Sequence, residues 1–334
     1  MATTRIDIDR ILCPVDFSEF SAPALERAVR LGEWFEARVE VVYVIPSVPF
    51  AMPAGMGPGY FPDPLEVTAS QREQAAQNMA DLVEPFLGEG VPLVTKVLEG
   101  EPWRVILNEA KGVPADLLVI GTHGRSGFEK LLLGSVTEKV LRRAPCPVLT
   151  VGHVRAHPRK GPLFRRILCA ADLTQASPQT LEMGLSLATE NDAQITLLHV
   201  METLSGNNGA GLVQRAPELK PLCHEQVAEA RSELRKAVPD PVRLFCEVTE
   251  RVEIGAAWSE ILRVAEQMDA DLIVMGAHAT GAVGRMLFGS TTSQVVRRAR
   301  CPVLVIQESH QPRRASEAIE EVGALVERRR GAGR

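Results

Sequence analysis

The chain carries the same text twice. Arg10-Ile11-Leu12-Cys13, running on to Asp16, returns 156 residues later as Arg166-Ile167-Leu168-Cys169, running on to Asp172. Gly100 to Trp103 returns as Gly255 to Trp258, and Gly121 to Ser135 as Gly276 to Ser290, both at an offset of 155. The stretch from Arg142 to Leu149, which holds Cys146-Pro147-Val148-Leu149, returns as Arg297 to Leu304 with Cys301-Pro302-Val303-Leu304. At 334 residues the chain is long for one core, and the repeat says where to divide it. Residues 1–152 form a first domain, 153–162 a linker with His153 and His157, 163–307 a second domain, and 308–334 a tail. Within the tail, Ala318, Ile319, Val322, Leu325 and Val326 fall at helical spacing, which predicts a short amphipathic helix over 315–329.

Each unit alternates strand and helix. Ile11–Val15 reads as a strand, followed by a helix to about Phe35 with Pro23 in its first turn, where a missing N–H costs nothing. A second strand spans Val39–Ile45, a helix about Glu66–Phe86, a third strand Pro92–Leu98, and a third helix starts near Pro102. Leu117–Ile120 is a continuously apolar run, as suits a strand covered on both faces. A fourth helix begins at Ser135, and Pro147–Val151 makes strand five. This alternation predicts parallel βαβ units in an α/β fold. Pro46–Pro64 holds six prolines and three glycines and cannot be regular structure. It leaves the end of strand two, so it is expected to be a mobile flap beside a ligand; its counterpart is Ser205–Gly211.

Composition excludes several function classes. The net charge of −5 gives no basic surplus for nucleic acid. No window approaches 18 uncharged apolar residues and the N-terminus lacks the apolar core of a signal peptide, so a cytoplasmic protein without membrane contact is expected. The six cysteines show no C-x2-C pair and no zinc spacing; most read as reduced core residues.

The stretch after Ile120 is the chemical candidate. Gly121, Gly124 and Gly134 permit close backbone approach, and Gly134-Ser135 opens a helix whose first N–H groups have no partner within it. Such a helix start can hold phosphate oxygens without a lysine. The plainer alternative is that Ser135 and Glu138 form a capping box and the glycines only turn the chain. The spacing G-x2-G-x9-G-S matches neither the G-x4-G-K-[ST] loop nor a dinucleotide fingerprint.

Taken together, the first strand ending in Pro14-Val15-Asp16, the motif Gly121, Gly124, Gly134, Ser135, and the Cys146-Pro147-Val148-Leu149 strand resemble the universal stress protein family in its tandem form. The resemblance implies two open parallel five-stranded sheets in the order 3-2-1-4-5 with helices on both faces. It also implies ATP as ligand, with Mg2+ or Mn2+. By resemblance, Pro14, Val15, Asp16 and Val44 face adenine and ribose. Gly121, Thr122, His123, Gly124 and Arg125 wrap the phosphates, closed by Gly134, Ser135 and Val136. In the second domain Asp172, Gly276, Gly289 and Ser290 take the matching places. Asp16 has an alternative role as a turn former before the first helix.

The expected function is a stress-response regulator that binds ATP mainly in its first domain. A slow ATPase and a nucleotide-independent tandem scaffold stay open as alternatives, along with a protein partner that the sequence does not name. In place of the H-x-G-H signature of adenylyl transferases stands Val15-Asp16-Phe17-Ser18. The family's dimers join through strand five, so the chain is expected to pair its own two copies as a pseudo-dimer, with Val148 against Val303; a homodimer is a further arrangement. The second pocket is expected to be weaker, because Ala279 stands for Gly124, Thr280 for Arg125 and Ala170-Ala171 for Pro14-Val15. If Gly124 serves a left-handed backbone, a side chain there costs roughly 1–2 kcal/mol.

Overall fold

The computed structural model describes residues 7–47, 67–88, 90–124, 133–152, 162–173, 178–202, 220–279 and 287–307. The Pro46–Pro64 flap beyond Ser47, its counterpart, the linker to residue 161, Arg125, Thr280 and the tail lie outside the described residues.

The first half runs β1 (Arg10–Val15), α1 (Ser21–Phe35), β2 (Arg38–Pro46), α2 (Ala69–Val83), β3 (Leu93–Gly100), α3 (Pro102–Gly112), β4 (Leu117–Gly121), α4 (Ser135–Leu141) and β5 (Val148–Val151). The second half repeats it with β6 (Arg166–Ala170), α5 (Pro178–Asn191), β7 (Gln194–Met201), α6 (Lys220–Lys236), β8 (Val248–Ile254), α7 (Ala257–Gln267) and β9 (Leu272–Gly276). It then adds a short antiparallel ladder, β10 (His278–Ala279) with β11 (Leu287–Phe288), before α8 (Ser290–Arg298) and β12 (Val303–Ile306). Each half has the order 3-2-1-4-5, and the two join edge to edge in one ten-stranded sheet, β3-β2-β1-β4-β5-β12-β9-β6-β7-β8.

Strand alternation builds two apolar layers. Ile11, Cys13 and Val15 of β1 point to the layer covered by α1 and α2, whereas Leu12 points to the layer under α3 and α4. The matching residues Ile167, Cys169 and Leu168 of β6 divide the same way, so both layers run through both halves. Strands covered on two faces need apolar side chains at nearly every position, as β1 and β4 show.

The seam is the only antiparallel pairing within this large sheet among the described residues. Leu149 stands opposite Leu304, Thr150 opposite Val303, and Val148 opposite Val305. The expected Val148–Val303 pair is therefore off by two positions, because an antiparallel pair runs its registers in opposite directions and the local twofold lies at Leu149 and Leu304. The seam also has side-chain bonds: Thr150 Oγ1 donates to the Val303 carbonyl at 3.1 Å and Gln307 Nε2 to the Leu141 carbonyl at 2.9 Å. Pairing β5 with β12 removes two apolar strand edges that would otherwise template aggregation.

Starts and stops follow local chemistry. Thr68 caps α2 and forms a capping box with Gln71. The fourth helix shows the opposite case. Its N-cap is Gly134 and no side chain caps it, so the capping box read at Ser135 and Glu138 does not form. No helix among the described residues is long and apolar enough to cross a membrane.

Candidate functional site

In the order 3-2-1-4-5 the connections leave strands one and four in opposite directions, which opens a crevice at their carboxyl ends. A cleft of 290 Å³ lies there in the first half. It is close to the lower end of ordinary small-ligand sites, about 300 Å³. Of the residues expected to bind, Pro14, Val15, Asp16, Val44, Gly121, His123, Gly124, Gly134, Ser135 and Val136 line it. Segments more than a hundred residues apart in sequence therefore meet at one place.

The cleft has an apolar floor and a polar rim. Val42, Val44 and Pro46 are alternate residues of β2 and share a face, while Pro102 and Ile106 lie one turn apart on α3. Tyr43, on the other face of β2, lies tilted against Phe17 with ring centroids 4.3 Å apart, and Phe20 lies 4.9 Å from the His123 ring. Such a floor suits a flat, largely apolar ring. The rim consists of Asp16, Ser21, His123, Ser135, Thr137 and the backbone of three glycines.

Asp16 is both a turn former and a site residue. Its Oδ1 accepts from the Ser18 backbone N–H at 3.0 Å, from Ser18 Oγ at 2.6 Å and from Ser21 Oγ at 2.9 Å. That fixes the carboxylate and sets the entry to α1, where Phe17 is held at a φ of 60°. Its Oδ2 faces Gly124: a Cβ at residue 124 would stand 2.7 Å from that oxygen.

This contact decides between the two reasons for the glycine. Gly124 is not among the positive-φ residues, so it does not serve a left-handed backbone. It serves close approach to a carboxylate. At Gly121 a Cβ would meet the Phe20 Cβ at 3.0 Å, so that glycine likewise lets the loop pass close under α1.

Thr122 was expected at the phosphates but lies outside the cleft lining. It is buried, its backbone N–H donates to the Val151 carbonyl at 3.0 Å, and its carbonyl accepts from the Gly134 N–H at 2.9 Å. It ties the start of the loop to its end. Thr137 Oγ1 adds a bond to the Gly121 carbonyl at 2.7 Å. Sequence reasoning missed Phe20, Ser21, Val42, Tyr43, Pro46, Pro102, Ile106, Ile120 and Thr137. Period-two alternation from Val44 would have found Val42 and Pro46.

The second half repeats the frame. Gly289 N–H donates to the Ala277 carbonyl at 3.2 Å, and Thr292 Oγ1 to the Gly276 carbonyl at 3.0 Å. Asp172 is exposed there, and His199 stands in the place of Tyr43 with Nδ1 3.0 Å from the Ala171 carbonyl. A Cβ at Gly276 would meet Thr180 Oγ1 at an ordinary 3.6 Å, Gly289 is the N-cap of α8, and Ser290 is its first residue.

A doubly wound parallel sheet with a crevice at its switch point, built twice and joined through strand five, defines a tandem α/β protein of the open-sheet class. The chain belongs to the universal stress protein family, whose model matches it twice, over residues 7–152 and 163–307. A universal stress protein of Mycolicibacterium smegmatis is 26% identical over 301 residues, covering 89% of this chain and 96% of that protein. One from Methanocaldococcus jannaschii is 36% identical over 143 residues, or 42% of this chain and 81% of the relative. The crystal structure of a universal stress protein from Archaeoglobus fulgidus superposes with a TM-score of 0.60 at 22% identity, covering 91% of this chain and 98% of that one.

Proposed function

We propose that the first half of the chain binds ATP in the cleft between β1 and β4, and that the protein acts as a regulator whose bound state is read by a partner protein. The observation that carries this reading is the cleft itself. An apolar floor leads to a rim of hydroxyls and loop backbone that Gly124 keeps close to Asp16. Among the described lining residues there is no lysine or arginine, and Asp16 is the only carboxylate. Phosphate charge would therefore be balanced by a divalent cation held on the phosphate oxygens, Mg2+ or Mn2+, because no group of three or more His, Cys, Asp or Glu side chains among the described residues could hold a metal by itself. Beyond Arg125 and Lys130, which lie outside the described residues, no lining cation stands opposite a transferred phosphoryl group, so any hydrolysis is expected to be slow.

Mass spectrometry of small molecules released from the purified, heat-denatured protein tests the ligand; finding no adenine nucleotide, and no ATP binding by calorimetry, would overturn it. The site is tested by Gly124→Val. Its Cβ would meet Asp16 and its branches would fill the rim, so ATP affinity is expected to fall at least tenfold, or about 1.4 kcal/mol. Unchanged affinity would remove Gly124 from the site.

The two halves are expected to bind unequally. Ala170-Ala171 offers less contact area than Pro14-Val15, and Ala279 carries the Cβ that Gly124 lacks. Calorimetry on the full chain should show one tight site and a second at least tenfold weaker, with Gly134→Val abolishing the tight one. Two equal sites would refute the asymmetry. The full chain is the right material, since separated halves would expose β5 and β12.

A further inference from the structure

The larger cavity lies at the other end of the sheet, and nothing in the nucleotide reading uses it. It measures 530 Å³ and sits at the amino-terminal ends of β6 and β9, beneath the carboxyl ends of α7 and α8. One wall comes from the first half, where α1 contributes Arg30. The second half contributes Arg165, Arg166, Arg298 and Arg300, set against Glu266, Asp269 and Asp271.

Each of these carboxylates is already engaged. Asp271 accepts the backbone N–H groups of Arg165 at 2.7 Å and Arg166 at 3.1 Å, Asp269 pairs with Arg166 at 2.7 Å, and Glu266 pairs with Arg300. Arg298 lies over the Trp258 ring at 4.6 Å and donates to Gln294. Arg165 is exposed, and its guanidinium has no hydrogen-bond or ion-pair partner among the described residues. Five guanidinium groups thus face three occupied carboxylates.

The repeat tells which of these arginines the fold requires. Arg298 and Arg166 have counterparts in Arg143 and Arg10, and Arg298 also complements the negative end of α8. Arg30, Arg165 and Arg300 correspond to Ser186, Asp9 and Pro145. The same architecture therefore stands without those three cations, in a place where helix ends alone would not gather them.

We propose that this interdomain cleft is a second binding site, separate from the nucleotide cleft, for a compact anion carrying two or more phosphate or carboxylate groups. Guanidinium forks match both groups bidentately. A ligand held between Arg30 and Arg165 touches both halves of the chain, so its binding strengthens the seam by linkage and raises the unfolding temperature.

The test is calorimetry on the full-length protein at low salt, with inorganic pyrophosphate as one probe and citrate as the other, repeated on Arg165→Ala and on Arg30→Ser/Arg165→Ala. At least one probe is expected to bind, to raise the melting temperature, and to weaken at least tenfold in the double variant while ATP affinity stays within twofold of the wild type. Arg165→Ala alters an exposed side chain, so its loss of affinity reads on binding and not on folding. Loss confined to pyrophosphate identifies a phosphate ligand, and loss confined to citrate a carboxylate ligand. Pyrophosphate bound in the nucleotide cleft is recognised by its loss in Gly134→Val and its survival in the arginine variants. Binding that survives Arg30→Ser/Arg165→Ala undiminished, or no binding of either probe at millimolar concentration, overturns the proposal.

Discussion

Glu40→Ala is expected to lower the stability of the chain by about 3–5 kcal/mol, the usual cost of removing one partner from a buried ion pair. Arg10 and Glu40 are each 3% exposed, and two guanidinium N–H groups of Arg10 donate to the same Glu40 oxygen at 3.0 and 2.7 Å. Lys96 pairs with the other Glu40 oxygen and with Glu109. Removing Glu40 leaves the Arg10 charge in the interior with only the carbonyls of Glu109 and Val113 to meet it. Arg10→Met/Glu40→Leu should recover most of the loss, since paired apolar replacements avoid the stranded charge. Urea unfolding decides it: a loss under about 1 kcal/mol in Glu40→Ala would show that the pair is a surface-like contact.

The same pair gives an acid limb. Burial by itself would raise the Glu40 pKa, but bonds from Lys96 and Arg10 outweigh it and hold the carboxyl below its ordinary value. A carboxyl lowered in the folded state supplies stability that is complete above its unfolded pKa and is lost as pH falls through the folded one. The second half has no such limb at this place, because Thr196 replaces Glu40 and Arg166 turns to the exposed Asp269.

The contrast shows what the sequence made legible. The two-fold repeat and the alternation of strand and helix follow from patterns that any observer can count, whereas the strand order, and with it the meeting of Asp16 with Gly121 and Gly134, is implied only by the family resemblance. Side-chain purpose follows less readily. Gly124 admits two readings from sequence, a left-handed backbone or close approach, and the position of the Asp16 carboxylate decides for the second. Ser135 with Glu138 has the spacing of a capping box, yet Gly134 is the N-cap because the chain arrives there already bonded to Thr122. The arginine cleft was invisible for another reason. Arg30 and Arg165 lie 135 residues apart in unrelated motifs, and nothing local marks either until the seam brings α1 against the start of β6.

Raising the pH from 8 to 10 is expected to cost about 6 kcal/mol of folding stability through four thiols alone. Burial pushes Cys13, Cys146, Cys169 and Cys301 up to about 12, with Asp116 adding to it at Cys146 and Asp271 at Cys301. A free thiol in the unfolded chain ionises near its ordinary value of 9.0. Between these values the folded state keeps protons that the unfolded state has released, so stability falls with rising pH, by roughly 1 to 2 kcal/mol per thiol at pH 10. Cys13→Ala/Cys169→Ala removes the matching pair in β1 and β6. Its own packing cost is the same at both pH values and cancels in the difference, so the pH 8 to 10 loss should shrink by about 3 kcal/mol relative to the wild type. Equal losses in variant and wild type would show that these thiols ionise in place. The same protonation makes the four cysteines poor nucleophiles at neutral pH, because the thiolate is the reactive form. Alkylating reagents at pH 8 should therefore leave all four unmodified until the chain unfolds.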